Sequence, residues 1–371
     1  MESRIRKEKT VDKCEEIRRD AWGIVRAALA AVDPEACVRR ALVRRGDVLW
    51  AGPHAYAVRR VRVVGMGKAA GAMARALEGI LADRIATGLV VTTDGYRTPT
   101  DRVEVVEAGH PVPDERGLDA ARRIAAVVEE AEEGDLVVVL ISGGGSALLT
   151  LPADGLSLRD LAKTNELLLR SGAPIAAMNA VRKHLDQLKG GQLARRAAPA
   201  PVLALILSDV PGDPLDVIAS GPTVPDPTTY ADAERILRDY GLWDEVPPSV
   251  RDHLARGVAG KTAETPKPGD PLFARVANVL VGTGSDAAEA AMAEGAARGY
   301  RGLILTTALA GEAREAGTVI ASLAQEVVRF GRPVPRPGLL VAAGETTVTV
   351  RGGGKGGRNQ ELALSAAIGI A

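Results

Sequence analysis

Short runs that are apolar at nearly every position alternate along this chain with stretches of helical spacing, and few architectures accommodate that pattern. The runs fall at 61–65, 88–93, 103–107, 135–142 and 202–208. A strand that is apolar on both sides must be covered on both faces, which is the situation of a parallel sheet flanked by helices. The helical stretches between them, 68–80, 115–130, 157–170 and 174–187, can supply that cover. The fold class expected is α/β, built from βα units on a largely parallel sheet.

A chain of 371 residues is long for one average domain, so two are expected. Pro and Gly cluster in two places. Residues 210–227 read as a long ordered loop, and 246–271, with Pro247, Pro248, Pro266, Pro268 and Pro271, as an interdomain connection. Beyond it come a strand at 277–282, a helix from Ser285, a strand at 302–307 and a helix from Glu312. Two strands joined at Gly344 follow, 339–343 and 345–351, and then a last helix from about Arg358. The division expected is 1–245, a connection at 246–270, and 271–371. The last helix runs straight into Ala371, so the second domain is expected to be cut short.

Lys plus Arg and Asp plus Glu number 47 each, giving zero formal net charge. A neutral chain lacks the electrostatic footprint of a nucleic-acid binder, so any anion site has to be local. The mixed-charge N-terminus is unlike a signal peptide, and no apolar run reaches the ~18 residues that span a membrane. A cytoplasmic protein with no membrane partner is expected, as a monomer or homodimer. Cys14 and Cys37 show no metal spacing and read as reduced thiols. Scarce Asn and Gln fit either a thermophilic source or a GC-rich genome.

Five motifs carry chemistry. The first, R-V-V-G-M-G-K-A-A-G at 62–71, follows a buried run, and Gly65 and Gly67 would let the backbone approach an anion at a helix start. A dinucleotide fingerprint wants its third glycine one residue before Gly71. A Walker A loop wants Ser or Thr where Ala69 stands, so neither fits. Lys68, read as lying in the first helical turn, is unfavourable against the helix dipole unless it meets an anion. The second, L-V-V-V-L-I-S-G-G-G-S-A-L-L at 136–149, sets Gly143, Gly144 and Gly145 between Ser142 and Ser146. This is either a nest of N–H groups for phosphate or carboxylate, or a tight turn with no ligand.

The third motif, at 178–194, brings Asn179, Arg182 and Lys183 together at helical spacing. They either line an anionic cleft or form a solvated face, while His184 reads as structural. The fourth, L-I-L-S-D-V-P-G-D-P at 205–214, places Asp209 just past the C-terminal end of a strand with Asp213 in the same loop. Two such carboxylates could hold Mg²⁺ or take a proton from a hydroxyl, or simply cap a turn. The fifth, at 343–361, is a glycine loop with Lys355, Gly356 and Gly357 leading to Arg358 and Asn359. Its cations could neutralise phosphates, and Glu345 is a candidate metal or hydroxyl contact.

Together with A-G-H-P-V-P-D at 108–114, N-A-V-R-K-H-L at 179–185, S-G-P-T at 220–223 and G-G-R-N-Q-E at 356–361, these motifs run in one order along nearly the whole chain. It resembles the class II glycerate kinases, the family that carries a MOFRL C-terminal domain. The resemblance implies an ATP- and Mg²⁺-dependent transfer of a phosphoryl group to the 2-hydroxyl of D-glycerate, giving 2-phosphoglycerate. It also implies a Rossmann-like αβα N-terminal domain, a smaller α/β C-terminal domain and a site in the cleft between them. The family's functional lysine falls on Lys68, its active-site aspartate on Asp209 and its arginine on Arg358. The family continues past G-G-R-N-Q-E with a further strand and an Asp/Gly-rich motif, whereas this sequence ends at Ala371. Two alternatives stay open: a hydroxypyruvate reductase using NAD(P)H, and a catalytically incomplete ligand-binding protein.

Overall fold

Along the chain, an antiparallel meander of β1 (Leu42–Arg45), β2 (Val48–Ala51) and β3 (His54–Ala57) leads into a six-stranded sheet. That sheet comprises β4 (Arg60–Met66), β5 (Ile85–Thr93), β6 (Glu104–Ala108), β7 (Asp135–Ile141), β8 (Val202–Leu207) and β9 (Val276–Gly282). Their spatial order is β6-β5-β4-β7-β8-β9, and the pairs from β6 to β8 are all parallel. Counted from β4, this is the Rossmann order 3-2-1-4-5-6. The computed structural model describes residues 2–371, with side chains from Lys13 onward.

The sequence pattern explains the sheet. All seven residues of β7 are buried, as are six of the seven in β4, which only a strand covered on both faces can sustain. Val63, Leu77, Val138, Leu140, Leu203 and Leu205 share one core, where each fully buried aliphatic side chain contributes about 1.5–3 kcal/mol. The buried cation of β4, Arg62, is matched by Asp135 at the start of β7 at 2.9 Å and by Glu130 at 3.1 Å. Those bonds satisfy a buried charge and tie β4 to β7 in register. Capping boxes at Ser157 with Asp160, Thr229 with Asp232 and Thr283 with Asp286 start three of the helices.

The chain divides into a larger unit, Pro34–Ser208 with Pro214–Val281, and a smaller one, Met1–Asp33 with Asp209–Asp213 and Gly282–Ala371. This differs from the expected division in three ways. Residues 246–270 are no linker: Pro248 opens the helix Pro248–Val258, where a first-turn proline costs no hydrogen bond, and Val250 and Leu254 are buried against Tyr230, Leu237 and Val181. Strand β9 belongs to the larger unit's sheet, with Ala277 and Val281 in its core. The first helix, Glu2–Ala31, belongs to the smaller unit, where Asp20 accepts hydrogen bonds from Arg298 at 2.8 Å and Tyr300 at 3.0 Å.

In the smaller unit β10 (Arg301–Leu309) pairs in parallel with β11 (Gly338–Gly344). Helices Ala313–Phe330 and Arg358–Ile370 pack closely enough that a Cβ on Gly317 would stand 2.5 Å from the Leu362 carbonyl. The strand expected at 345–351 does not form. Thr347 makes a single bridge to Glu312, and the Glu312 carboxylate takes the Thr349 N–H at 3.0 Å. The T-T-V-T-V pattern suits a strand, but the backbone facing it, residues 310–312 just past the end of β10, is a loop and offers no ladder. Cys14 is exposed, Cys37 is buried, and neither is in a disulfide. Among the described residues no helix is long and apolar enough to cross a membrane.

Candidate active site

From β4 the chain runs one way to β5 and β6 and the other way to β7 and β8. At that reversal the C-terminal ends of β4 and β7 open the crevice in which sheets of this order place ligands. Both glycine turns of the larger unit lie there.

After β4, Gly67 turns with φ +118°, and a Cβ at that position would stand 2.3 Å from Ser142 Oγ. The N–H groups that follow are occupied. Gly67 donates to the Val91 carbonyl at 3.1 Å, Lys68 to that of Gly143 at 2.9 Å, and Ala69 to Ser142 Oγ at 3.0 Å. The first turn is therefore not the backbone anion cradle that its glycines suggest. What it presents is the exposed side chain of Lys68, in the turn before the helix Ala70–Leu81 rather than within the helix. No conflict with the helix dipole arises.

After β7, Ser142 is buried, its N–H bonded to the Met66 carbonyl at 3.0 Å and its hydroxyl accepting from Ala69, so it serves the fold. Gly144 has φ +85°, and a Cβ there would lie 3.1 Å from the His110 ring and 3.6 Å from Lys68 Cε. Gly145 is pressed between Met66 and Ala219. The N–H groups of Gly143 and Gly144 make no hydrogen bond among the described residues. Two reachable backbone donors with an ammonium beside them form a small electropositive hollow, as a phosphate or carboxylate requires.

Behind the hollow, Ser146 Oγ lies 2.7 Å from Ser220 Oγ, which donates to Asn179 Oδ1 at 3.2 Å. Asn179 is buried, on the helix Ile175–His184. The cations of that helix differ from expectation. The Lys183 side chain is only 3% exposed, its Nζ 3.5 Å from Asp226 and 3.6 Å from Asp216, so its ammonium is matched internally and lines no open cleft. Arg182 donates to Asn165 Oδ1 at 2.8 Å, and burial pushes its guanidinium pKa down. His184 is structural, bonded to the Ala180 carbonyl at 2.7 Å and to Glu264 at 3.2 Å.

Asp209 is exposed directly after Ser208, and Asp213 sits in the same loop at φ +52°. Among the described residues no three His, Cys, Asp or Glu side chains cluster as a metal cage. One or two carboxylates with substrate phosphates are the usual protein share of a Mg²⁺ site, and Asp209 and Asp213 are side chains of that donor chemistry. In the smaller unit Arg358 opens its helix and pairs with Glu345 at 2.6 Å, bringing together two residues singled out separately. Lys355, Gly356, Gly357 and Asn359 are exposed.

A family model described as a domain of unknown function, DUF4147, matches residues 20–255, and the MOFRL family model matches 338–371. A glycerate 2-kinase of Pyrococcus horikoshii is 46% identical over 353 residues, which are 95% of this chain and 79% of that protein. The chain belongs to the glycerate 2-kinase family. The crystal structure of a Thermotoga maritima glycerate kinase, 42% identical, matches with a TM-score of 0.81 over 96% of this chain and 80% of that one. A further relative in Agrobacterium vitis, 45% identical over 346 residues, carries the provisional name hydroxypyruvate reductase.

Within this glycerate 2-kinase fold two neighbours of the hollow escaped the sequence reading. His110 stood inside A-G-H-P-V-P-D and Ser220 inside S-G-P-T, but nothing in their spacing linked them to the triple glycine. Each reaches it from a distant segment.

Proposed function

We propose that the protein phosphorylates D-glycerate at the 2-hydroxyl with ATP, giving 2-phosphoglycerate and ADP. The observation that carries this is the exposed Lys68 ammonium beside the Gly143 and Gly144 N–H groups at the sheet's reversal point. In the proposed reaction the 2-hydroxyl oxygen bonds to the γ-phosphorus as the bond to the β-phosphate's bridging oxygen breaks. Asp209 accepts the hydroxyl proton. Lys68 and Arg358 neutralise the anionic groups, and the triple-glycine turn with Ser146 orients them. Asp209 and Asp213 would hold Mg²⁺, which supplies positive charge to the phosphates.

The reductase reading meets two observations against it. The backbone N–H groups of the first turn are already bonded, which leaves no cradle for a pyrophosphate. The acid at the end of β5, where a ribose contact belongs, is Asp94, and Arg116 holds it at 2.7 and 2.9 Å. Purified protein given glycerate and ATP should release ADP and 2-phosphoglycerate, and given hydroxypyruvate and NADH should leave the NADH unchanged. NADH oxidation instead of ADP release would replace the kinase reading. Glycerate binding without turnover would leave a binding protein.

A further inference from the structure

The long loop after β8 contains a backbone run that the chemistry above does not use. Ala219, Ser220 and Gly221 follow one another at φ +50°, +61° and +63°. Two of the three carry a Cβ, and L-residues adopt this left-handed region reluctantly, so such a run persists only where its surroundings over-determine it. Those surroundings are present. Gly190 N–H donates to the Ser220 carbonyl at 3.0 Å, Gly191 N–H to that of Gly221 at 2.7 Å, and Ala194 N–H to that of Pro222 at 3.3 Å. Lys183 reaches Asp216 ahead of the run at 3.6 Å and fully buried Asp226 beyond it at 3.5 Å, so one ammonium clamps both flanks.

The run faces the triple-glycine turn. Ser220 Oγ lies 2.7 Å from Ser146 Oγ and donates to Asn179 Oδ1, and a Cβ on Gly145 would stand 3.0 Å from the Ala219 methyl. We propose that this left-handed run is a positioning device: Ala219 and Ser220, held by the Lys183 clamp, fix the backbone of residues 143–146 in the shape that receives the substrate anion. The inference rests on the kinase reading for its activity readout. Ala219 and Ser220 are positioning residues, because they act through Gly145 and Ser146 rather than on substrate.

A purely structural role and a positioning role separate cleanly at Ala219. Ala219→Gly relieves a left-handed alanine, so Tm should rise by about 2–4 °C. It also removes the methyl that backs Gly145, so kcat should fall by roughly 10–100-fold while KM changes much less. The amide of Gly145, which donates to the Ser142 carbonyl at 3.2 Å, should exchange with solvent faster although the protein as a whole is more stable. Asp216→Asn loosens the clamp at a half-exposed residue and should shift kcat and amide exchange in the same direction by a smaller factor. Unchanged kcat and unchanged Gly145 exchange in Ala219→Gly would overturn the proposal. If wild-type protein does not phosphorylate glycerate, the functional reading fails on its own, and the exchange of Gly145 in the two variants still decides this one.

Discussion

Two glycine-rich segments answer differently when a methyl group is imagined on each residue. In the larger unit a Cβ at Gly67 would meet Ser142 Oγ at 2.3 Å, and one at Gly145 would meet Met66 Cγ at 2.7 Å. In the smaller unit Gly352, Gly353, Gly354 and Gly357 would meet nothing within 4 Å. The first set of glycines is required by the packing of the protein itself, because two turns and a third loop press together at the ends of β4 and β7. The second set is not required by any contact among the described residues. Glycine as a residue type therefore says little until the neighbours are known: one loop is a packed joint and the other a strip of exposed backbone beside Lys355 and Arg358.

The largest effect expected is on rate. Lys68→Ala removes the ammonium beside the triple-glycine turn, and Arg358→Ala breaks the contact to Glu345. Each should lose roughly 10²–10³ in kcat with the circular-dichroism spectrum unchanged. Near wild-type turnover in Lys68→Ala would remove the hollow from the mechanism.

Gly67→Ala comes next. With a left-handed φ and a clash against Ser142, it should destabilise the protein by about 1–3 kcal/mol in a urea titration and lower turnover by a smaller factor than the loss of either charge. Wild-type stability would show that the two turns do not press together as described. Gly353→Ala is the contrasting case. Its stability should stay within about 0.5 kcal/mol of wild type, so any fall in turnover reports a ligand contact rather than a folding defect. A large loss of stability there would erase the contrast between the two loops.

The smallest effect concerns pH. Burial pushes the Glu264 carboxyl up, but hydrogen bonds from His184, Lys267 and the Tyr230 N–H outweigh it and hold its pKa at about 2, against an ordinary 4.5. A lowered folded-state pKa means its stabilisation is full above about 4.5 and is lost as pH falls toward 2. Glu264→Gln should therefore flatten the acid limb of a Tm-against-pH curve in that window only. An unaltered acid limb would show that this carboxylate is not part of the support behind the helix Ile175–His184.

The α/β class, the central strands and four helices of the larger unit, Ala70–Leu81, Glu115–Glu129, Leu158–Arg170 and Ile175–His184, were legible because a doubly covered strand needs an unbroken apolar run and a helix needs its own spacing and caps. Both are local in sequence. Long ordered motifs likewise carried the family. The unit boundaries were not legible, because a proline pair reads the same at a helix start as in a linker. Nothing in 276–282 says which sheet it will join. The strand expected at 345–351 failed for a related reason: β-propensity is fulfilled only if a neighbouring strand is there to pair with it.

At the site the same line divides residues. Lys68 and the triple glycine could be picked out from their place after apolar runs, since the C-terminal end of a buried strand is where such sheets carry chemistry. Sequence alone thus determined that this protein would present glycine turns and a lysine at one end of a parallel sheet. Only the tertiary structure decided that the first turn's N–H groups are already used, that Lys183 is enclosed by Asp216 and Asp226, and that Ala219 and Ser220 stand behind the hollow. Hydrogen-bond donors and charges are counted in the sequence, but whether each is matched depends on what the fold brings within about 3 Å of it.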